Sequence, residues 1–299
     1  MSQEASQARI RAALITVQVL FGINYLASKF IVTNMAPGAW ALVRTSGALL
    51  ILGGIVIVGR RTWPARRDML LLGVAALFGI VLNQALFLEG LSRTTVSHSS
   101  LICSQIPTFV LLFSVISRQE KLSPRKAASF LAGITGVLIL LEADRFQFDS
   151  QYLAGDLMTL GNAASFGLFV TISRRIMARN DPWTATAVVF LFGTIGMALY
   201  GGPDLLATDF SFLTPSLLLA MLYVIIGATV LTYFLNLWSV KRTQATRVAL
   251  YIFLQPLIAT VLGILFLDNR ITGRFLVAAV LVFVALMLRD SQAGKKTAA

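Results

Sequence analysis

Apolar runs long enough to cross a bilayer alternate with short polar breaks along the whole chain. A spanning helix needs about 20 residues, within a range of roughly 17 to 25. The pattern predicts ten of them, at 12–31, 39–58, 69–90, 95–116, 124–141, 156–177, 183–200, 215–238, 248–267 and 273–288. The fifth and tenth are the short ones. Each opens on a helix-start signal, Ser123-Pro124 and Thr272-Gly273, and Arg125, Lys126 and Arg274 can snorkel to extend those ends. The breaks are Arg60 to Pro64, Arg118 to Lys126, Glu142 to Gly155, Arg179 to Pro182 and Gly201 to Thr214. None is long enough to fold as a domain.

The pattern also repeats. Arg93-Thr94-Thr95-Val96-Ser97-His98, leading to Gln105-Ile106-Pro107, is answered 149 residues later by Arg242-Thr243-Gln244-Ala245-Thr246-Arg247, leading to Gln255-Pro256. Phe21-Gly22, Lys29 and Pro37 fall 145 residues before Phe166-Gly167, Arg174 and Pro182. The chain reads as a tandem duplication with halves at 12–141 and 156–288 and short tails at 1–11 and 289–299. Five spans per half is an odd number, so the second copy must run upside down relative to the first. The expected fold is therefore an all-α integral membrane protein of ten transmembrane helices in two inverted five-helix repeats, an architecture that holds its substrate at the repeat interface near mid-membrane.

Composition agrees with a membrane protein. Hydrophobic residues make up 57% and charged residues 13% of 299 residues, more apolar surface than a soluble chain can hide. The net charge of +12 would suggest nucleic acid for a soluble protein, but here it maps onto topology. With a cytoplasmic N-terminus, 19 Lys and Arg face inward and five outward, with Arg44 inside the second span. The positive-inside rule therefore places both termini in the cytoplasm. The first apolar run lacks a small-residue cleavage site and reads as a retained helix. Trp40, Trp63, Trp183 and Trp238 fall at predicted span ends, as interfacial anchors should. The single Cys103 allows no internal disulfide and reads as a packing residue.

Phe21-Gly22-Ile23-Asn24-Tyr25-Leu26-Ala27-Ser28-Lys29 resembles the first-helix signature of the drug/metabolite transporter superfamily, and Arg44 falls where that family carries an arginine in its second helix. The Thr-rich turns, Pro107 and Pro256, and the segments Gln119-Glu120-Lys121-Leu122-Ser123 and Asp268-Asn269-Arg270-Ile271-Thr272 resemble the ends of two EamA domains. The resemblance implies a bacterial inner-membrane exporter of small metabolites, with aromatic and threonine-homoserine exporters among the ten-helix members.

Polar groups inside a span are expensive unless paired or wet, so each is a candidate site. The substrate-binding candidates are Asn24, Tyr25, Asn83, Gln84, Gln105, Asn162, Tyr233, Tyr251 and Gln255. Helical spacing puts His98, Gln105 and Phe109 on one face, Thr229, Tyr233 and Asn236 on another, and Arg247, Tyr251 and Gln255 on a third. The competing reading is that these groups only bond helix to helix, at about 0.6 kcal/mol each. Arg44 and Glu89 lie at similar depth and are expected either as a structural ion pair or, with Glu89 or His98 exchanging a proton, as coupling groups. Pro107 and Pro256 should kink their helices, as static bends or as hinges.

Amides with aromatic surface from Tyr25, Phe78, Phe87, Tyr233, Trp238 and Tyr251 suit a zwitterion or a flat aromatic body, hence amino-acid export by alternating access. The alternative substrate class is cationic or aromatic drugs, moved by proton coupling. A membrane-embedded enzyme lacks a nucleophile with a base and an orienting carboxylate, and a channel fits two kinked, inverted halves less well than a carrier does. No metal-ligand spacing and no phosphate loop occur, so no cofactor and no ATP-driven step is expected. The implied partners are a small-molecule substrate and the lipid bilayer, with no nucleic acid and the oligomeric state open.

Overall fold

Backbone N–H and C=O groups in lipid find no water and must pair within their own segment, so apolar spans become helices. The computed structural model describes residues 3–141, 150–266 and 273–295. Of the expected break Glu142 to Gly155, residues 142–149 lie outside the described residues, as do the segment Asp268 to Thr272 and the helix start at Thr272.

We number the helical rods α1 (Gln3–Val32), α2 (Pro37–Val58), α3 (Arg66–Arg93), α4 (Val96–Cys103 and Ile106–Ile116), α5 (Pro124–Leu140), α6 (Ser150–Met177), α7 (Pro182–Leu206), α8 (Pro215–Arg242), α9 (Ala245–Leu250, then Leu254–Phe266) and α10 (Gly273–Lys295). Counted over the described residues, seven of them, α1 to α4 and α6 to α8, are long and apolar enough to cross a membrane. The fifth has 17 residues, the ninth runs from Ala245 through its 3₁₀ turn to Phe266, and the apolar part of α10, Gly273–Leu288, is shorter than the seven. Helix α10 runs on to Lys295, into the stretch that reads as a tail from the sequence.

Local chemistry sets the helix starts. The side chains of Thr95, Ser123, Asp181 and Thr214 accept from backbone amides of the following turn, with Pro124, Pro182 and Pro215 at the first helical position.

Packing pairs rods of one half with rods of the other, counterpart on counterpart for α2–α7 and α5–α10 and crosswise for α3–α6 and α1–α8. The two counterpart pairs are the most extensive. At the α2–α7 crossing Gly38 and Gly201 bring the two backbones together, and a Cβ on Gly201 would strike Gly38 itself. The ends correspond too. Lys29, in the last turn of α1, donates to Leu91 O and Thr94 O at 2.7 and 3.1 Å where α3 ends. Arg174, in the last turn of α6, donates to Lys241 O at 3.4 Å where α8 ends. In each case a cation meets a helix C-terminus, where orphan carbonyls carry negative partial charge.

The outside is apolar: Leu50, Leu199, Leu219 and Val280 are exposed by 77, 83, 68 and 62%, and polar residues turn inward. Trp40 departs from expectation. Its side chain is fully buried and packs in the core, so it is no interfacial anchor. Trp63 is exposed, Trp183 stacks on Phe234 at 3.7 Å, and Trp238 carries the Arg242 guanidinium over its ring at 4.1 Å.

Two irregularities occur twice. Helix α3 is π-helical over Leu77–Leu82 and α8 over Ile226–Leu231, which begins 149 residues later. Helix α4 breaks at Ser104 and Gln105, and α9 tightens to a 3₁₀ turn over Tyr251–Phe253. Each of these lies just before its proline, because residue 107 or 256 offers no N–H to the carbonyl of Cys103 or Ile252 and its ring crowds that carbonyl.

Candidate functional site

The irregular stretches converge on one cavity, lined by Phe21, Asn24 and Tyr25 from α1, Arg44 from α2, Asn83, Gln84 and Phe87 from α3, Cys103 and Ile106 from α4, Asn162 and Phe166 from α6, Tyr233 from α8, and Ile252 and Gln255 from α9. Spacings of three and four residues set Phe21, Asn24 and Tyr25 on one face of α1, and Asn162 with Phe166 on one face of α6. The π segments add a residue to a turn and so rotate the helix beyond it. Asn83 and Gln84 emerge into the cavity directly after one such segment, and Tyr233 two residues after the other.

Most of the polar lining is tied down. Gln255 Nε2 donates to Gln18 Oε1 at 2.8 Å, and the Tyr25 hydroxyl reaches Gln255 Oε1 at 3.4 Å. Asn162 Nδ2 donates to Asn83 O at 2.8 Å, and Ser28 Oγ to Asn24 Oδ1 at 3.0 Å. The Tyr233 hydroxyl sits 2.7 Å from Gly79 O and 3.1 Å from Asn83 Oδ1, two acceptors for its one proton. Arg44 Nε donates to Thr229 Oγ1 at 2.6 Å and Nη2 to Ala228 O at 3.2 Å. Gln84 differs from all of these. It is 2% exposed, and although the Tyr233 hydroxyl comes near its amide, neither Nε2 nor Oε1 has a partner within hydrogen-bond geometry.

Aromatic edges close the walls. Phe21 meets Phe166 edge-on at 6.5 Å, Tyr25 meets Phe87 at 5.8 Å and Phe166 meets Tyr233 at 6.3 Å.

Of the sequence-derived candidates, Asn24, Tyr25, Asn83, Gln84, Asn162, Tyr233 and Gln255 come together here, and of the aromatic surface Tyr25, Phe87 and Tyr233 do. Two candidates lie elsewhere. Gln105 sits in the break of α4, where among the described residues its amide hydrogen-bonds with its neighbours Ser104 and Thr108. Tyr251 falls in the 3₁₀ turn of α9 and lines a separate groove with Arg11, Ile15 and Phe283. Both stripes assume an unbroken helix, and each proline breaks the phase just where that assumption is needed.

The Arg44–Glu89 pair does not form. Glu89 takes Arg93, one turn on, at 2.8 Å and the Tyr200 hydroxyl at 2.5 Å, while Arg44 points into the cavity. His98 Nδ1 lies 3.1 Å from Asp156 Oδ2, a contact that is an ion pair only with the imidazole protonated. The Thr94 hydroxyl donates to the same carboxylate at 2.7 Å. The sequence pattern does not single out Phe21, Cys103, Ile106, Phe166 or Ile252 as lining. Apart from the Phe21/Phe166 echo, apolar residues in apolar spans carry no mark of facing a cavity.

The EamA-like transporter pattern matches residues 11–142 and again 153–289. The chain belongs to the EamA-like transporter family. This EamA chain is a multi-pass membrane protein, and its family and relatives are named as transporters. It is 24% identical over 305 residues, 99% of its length and 96% of the relative's, to the uncharacterized transporter YvbV of Bacillus subtilis strain 168. It is 24% identical over 282 residues, 91% of each chain, to a probable amino-acid metabolite efflux pump of Escherichia coli strain K12. A crystal structure sharing 19% identity superposes with a TM-score of 0.77 over 97% of this chain and 98% of the other, so the folds are alike.

Proposed function

We propose that the protein is a secondary carrier that exports amino acids and related small metabolites from the bacterial cytoplasm by alternating access. It crosses the inner membrane ten times in two inverted repeats, with both termini inside. The paired packing of α2 with α7 and α5 with α10, and the twinned π segments, support the inverted-repeat reading. The 19-to-five split of basic residues supports the orientation. Pro107 and Pro256 serve as the hinges about which the halves rock.

The observation that carries the substrate class is the lining itself: neutral amides, phenols, aromatic rings and one guanidinium, with no Asp or Glu among them. A cavity for cationic drugs would place a carboxylate where the positive charge rests. If a proton is counter-transported, His98 with Asp156 is the better candidate, since Glu89 already holds Arg93 and Tyr200.

Uptake of labelled amino acids into liposomes holding the purified protein, with and without a pH gradient, tests this. Saturable, competed uptake is expected, slowed in both Pro107→Ala and Pro256→Ala without a change in apparent affinity. Uptake of cationic drugs with none of any amino acid would overturn it.

A further inference from the structure

Arg44 is 3% exposed and lies deep between α2 and α8. No carboxylate pairs with it among the described residues. Its Nε and Nη2 are held by Thr229 and Ala228, which fixes the guanidinium in position and leaves Nη1 with no protein partner among those residues. A guanidinium taken out of water with no opposite charge is strongly unfavourable, so this one is set for an anion supplied from outside the chain. The second observation is Gln84, whose buried amide has both of its polar atoms unpaired. The two groups are linked along the wall: Arg44 holds Thr229, one turn before Tyr233, whose hydroxyl contacts Asn83, the residue before Gln84.

We infer that Arg44 and Gln84 form a carboxylate subsite in the cavity, and that a carboxylate, not an ammonium group, is the obligatory recognition element of the substrate. The guanidinium supplies a charge-assisted donor and the Gln84 Nε2 a second, neutral one. An α-ammonium meets only neutral acceptors such as the amide of Asn24, so removing it costs little while removing the carboxylate abolishes binding. Phe21, Phe87 and Phe166 take an apolar or aromatic tail. The substrates are therefore monocarboxylates in general, amino acids being one class of them. This inference rests on the carrier reading above.

Binding to the detergent-purified full chain decides it, with phenylalanine, 3-phenylpropionate and phenylalanine methyl ester as probes, read by calorimetry and thermal shift. Both acids are expected to bind within about ten-fold of one another and the ester at least tenfold more weakly than either, tenfold being about 1.4 kcal/mol. Arg44→Gln should lose both acids, with Arg44→Lys restoring part of the affinity. Gln84→Met should weaken both acids several-fold with the unliganded melting point unchanged. An ester that binds as well as the acids, acids that bind Arg44→Gln as they bind the wild type, or no binding of either acid would overturn the subsite. Should Arg44→Gln fail to fold, unchanged affinity of 3-phenylpropionate for Gln84→Met overturns it instead. If 3-phenylpropionate binds through Arg44 while no amino acid is bound or moved, the amino-acid reading falls and the carboxylate subsite stands.

Discussion

The π segments of α3 and α8 sit at corresponding points of the two halves and hand the cavity two side chains of opposite character. After Leu77–Leu82 comes Gln84, an amide with no hydrogen bond; after Ile226–Leu231 comes Tyr233, in hydrogen-bond contact with Gly79 O and Asn83 Oδ1. The same contrast runs through the other twinned positions. Ile106 faces Gln255 in the numbering of the repeat, Cys103 faces Ile252, and Arg44 answers to Val189, while Phe21 and Phe166 stay alike. A backbone irregularity is fixed by the helices packed around it and changes only if they all shift. A side chain aimed into a cavity has fewer such constraints and is freer to differ. At this twinned position the second half supplies the bonded side of the wall, Tyr233, and the first half the group left open, Gln84.

The largest effect on stability is expected where that wall is tightest. A methyl group at Gly79 would run into the ring of Phe169, which is fully buried and has nowhere to go, so Gly79→Ala should cost about 1–3 kcal/mol of unfolding free energy in detergent. The corresponding position of the second half already holds Ala228, and Ala228→Gly should cost only about 0.5–1 kcal/mol. Equal losses in the two would mean the halves are not packed as differently as the contacts imply.

Next comes Tyr233→Phe. It removes the hydroxyl that bridges α8 to α3, and about 0.6 to 1.7 kcal/mol should go with it. No change in the melting curve would reduce Tyr233 to the same free standing as Gln84.

The smallest effect belongs to Gln84→Met, which discards an amide with no hydrogen bond and fills similar volume. Stability should hold within about 0.5 kcal/mol or rise, while liposome uptake falls. A variant that melts early would reveal a structural bond for Gln84 and erase the contrast between the two walls.

Much of this molecule is written along the chain. Apolar spans, the echo of the first half in the second, and the helix starts at Ser123, Asp181 and Thr214 follow from short-range chemistry. Asn24, Asn83, Gln84, Asn162 and Gln255 are legible because an amide in an apolar span must turn away from lipid whatever its neighbours are. Glu89 with Arg93 is legible too, being four residues apart on one helix, yet a similar depth suggests Arg44 instead. The tertiary structure alone decided which way a side chain points beyond an irregular turn, and which distant group it meets. Reading a face from spacing assumes 3.6 residues per turn. One extra residue in a π segment or a broken turn before a proline resets that phase, and so Gln105 and Tyr251 left the cavity. Arg44 found Thr229, 185 residues away, because helix pairing sets that contact, and nothing local to either residue encodes it.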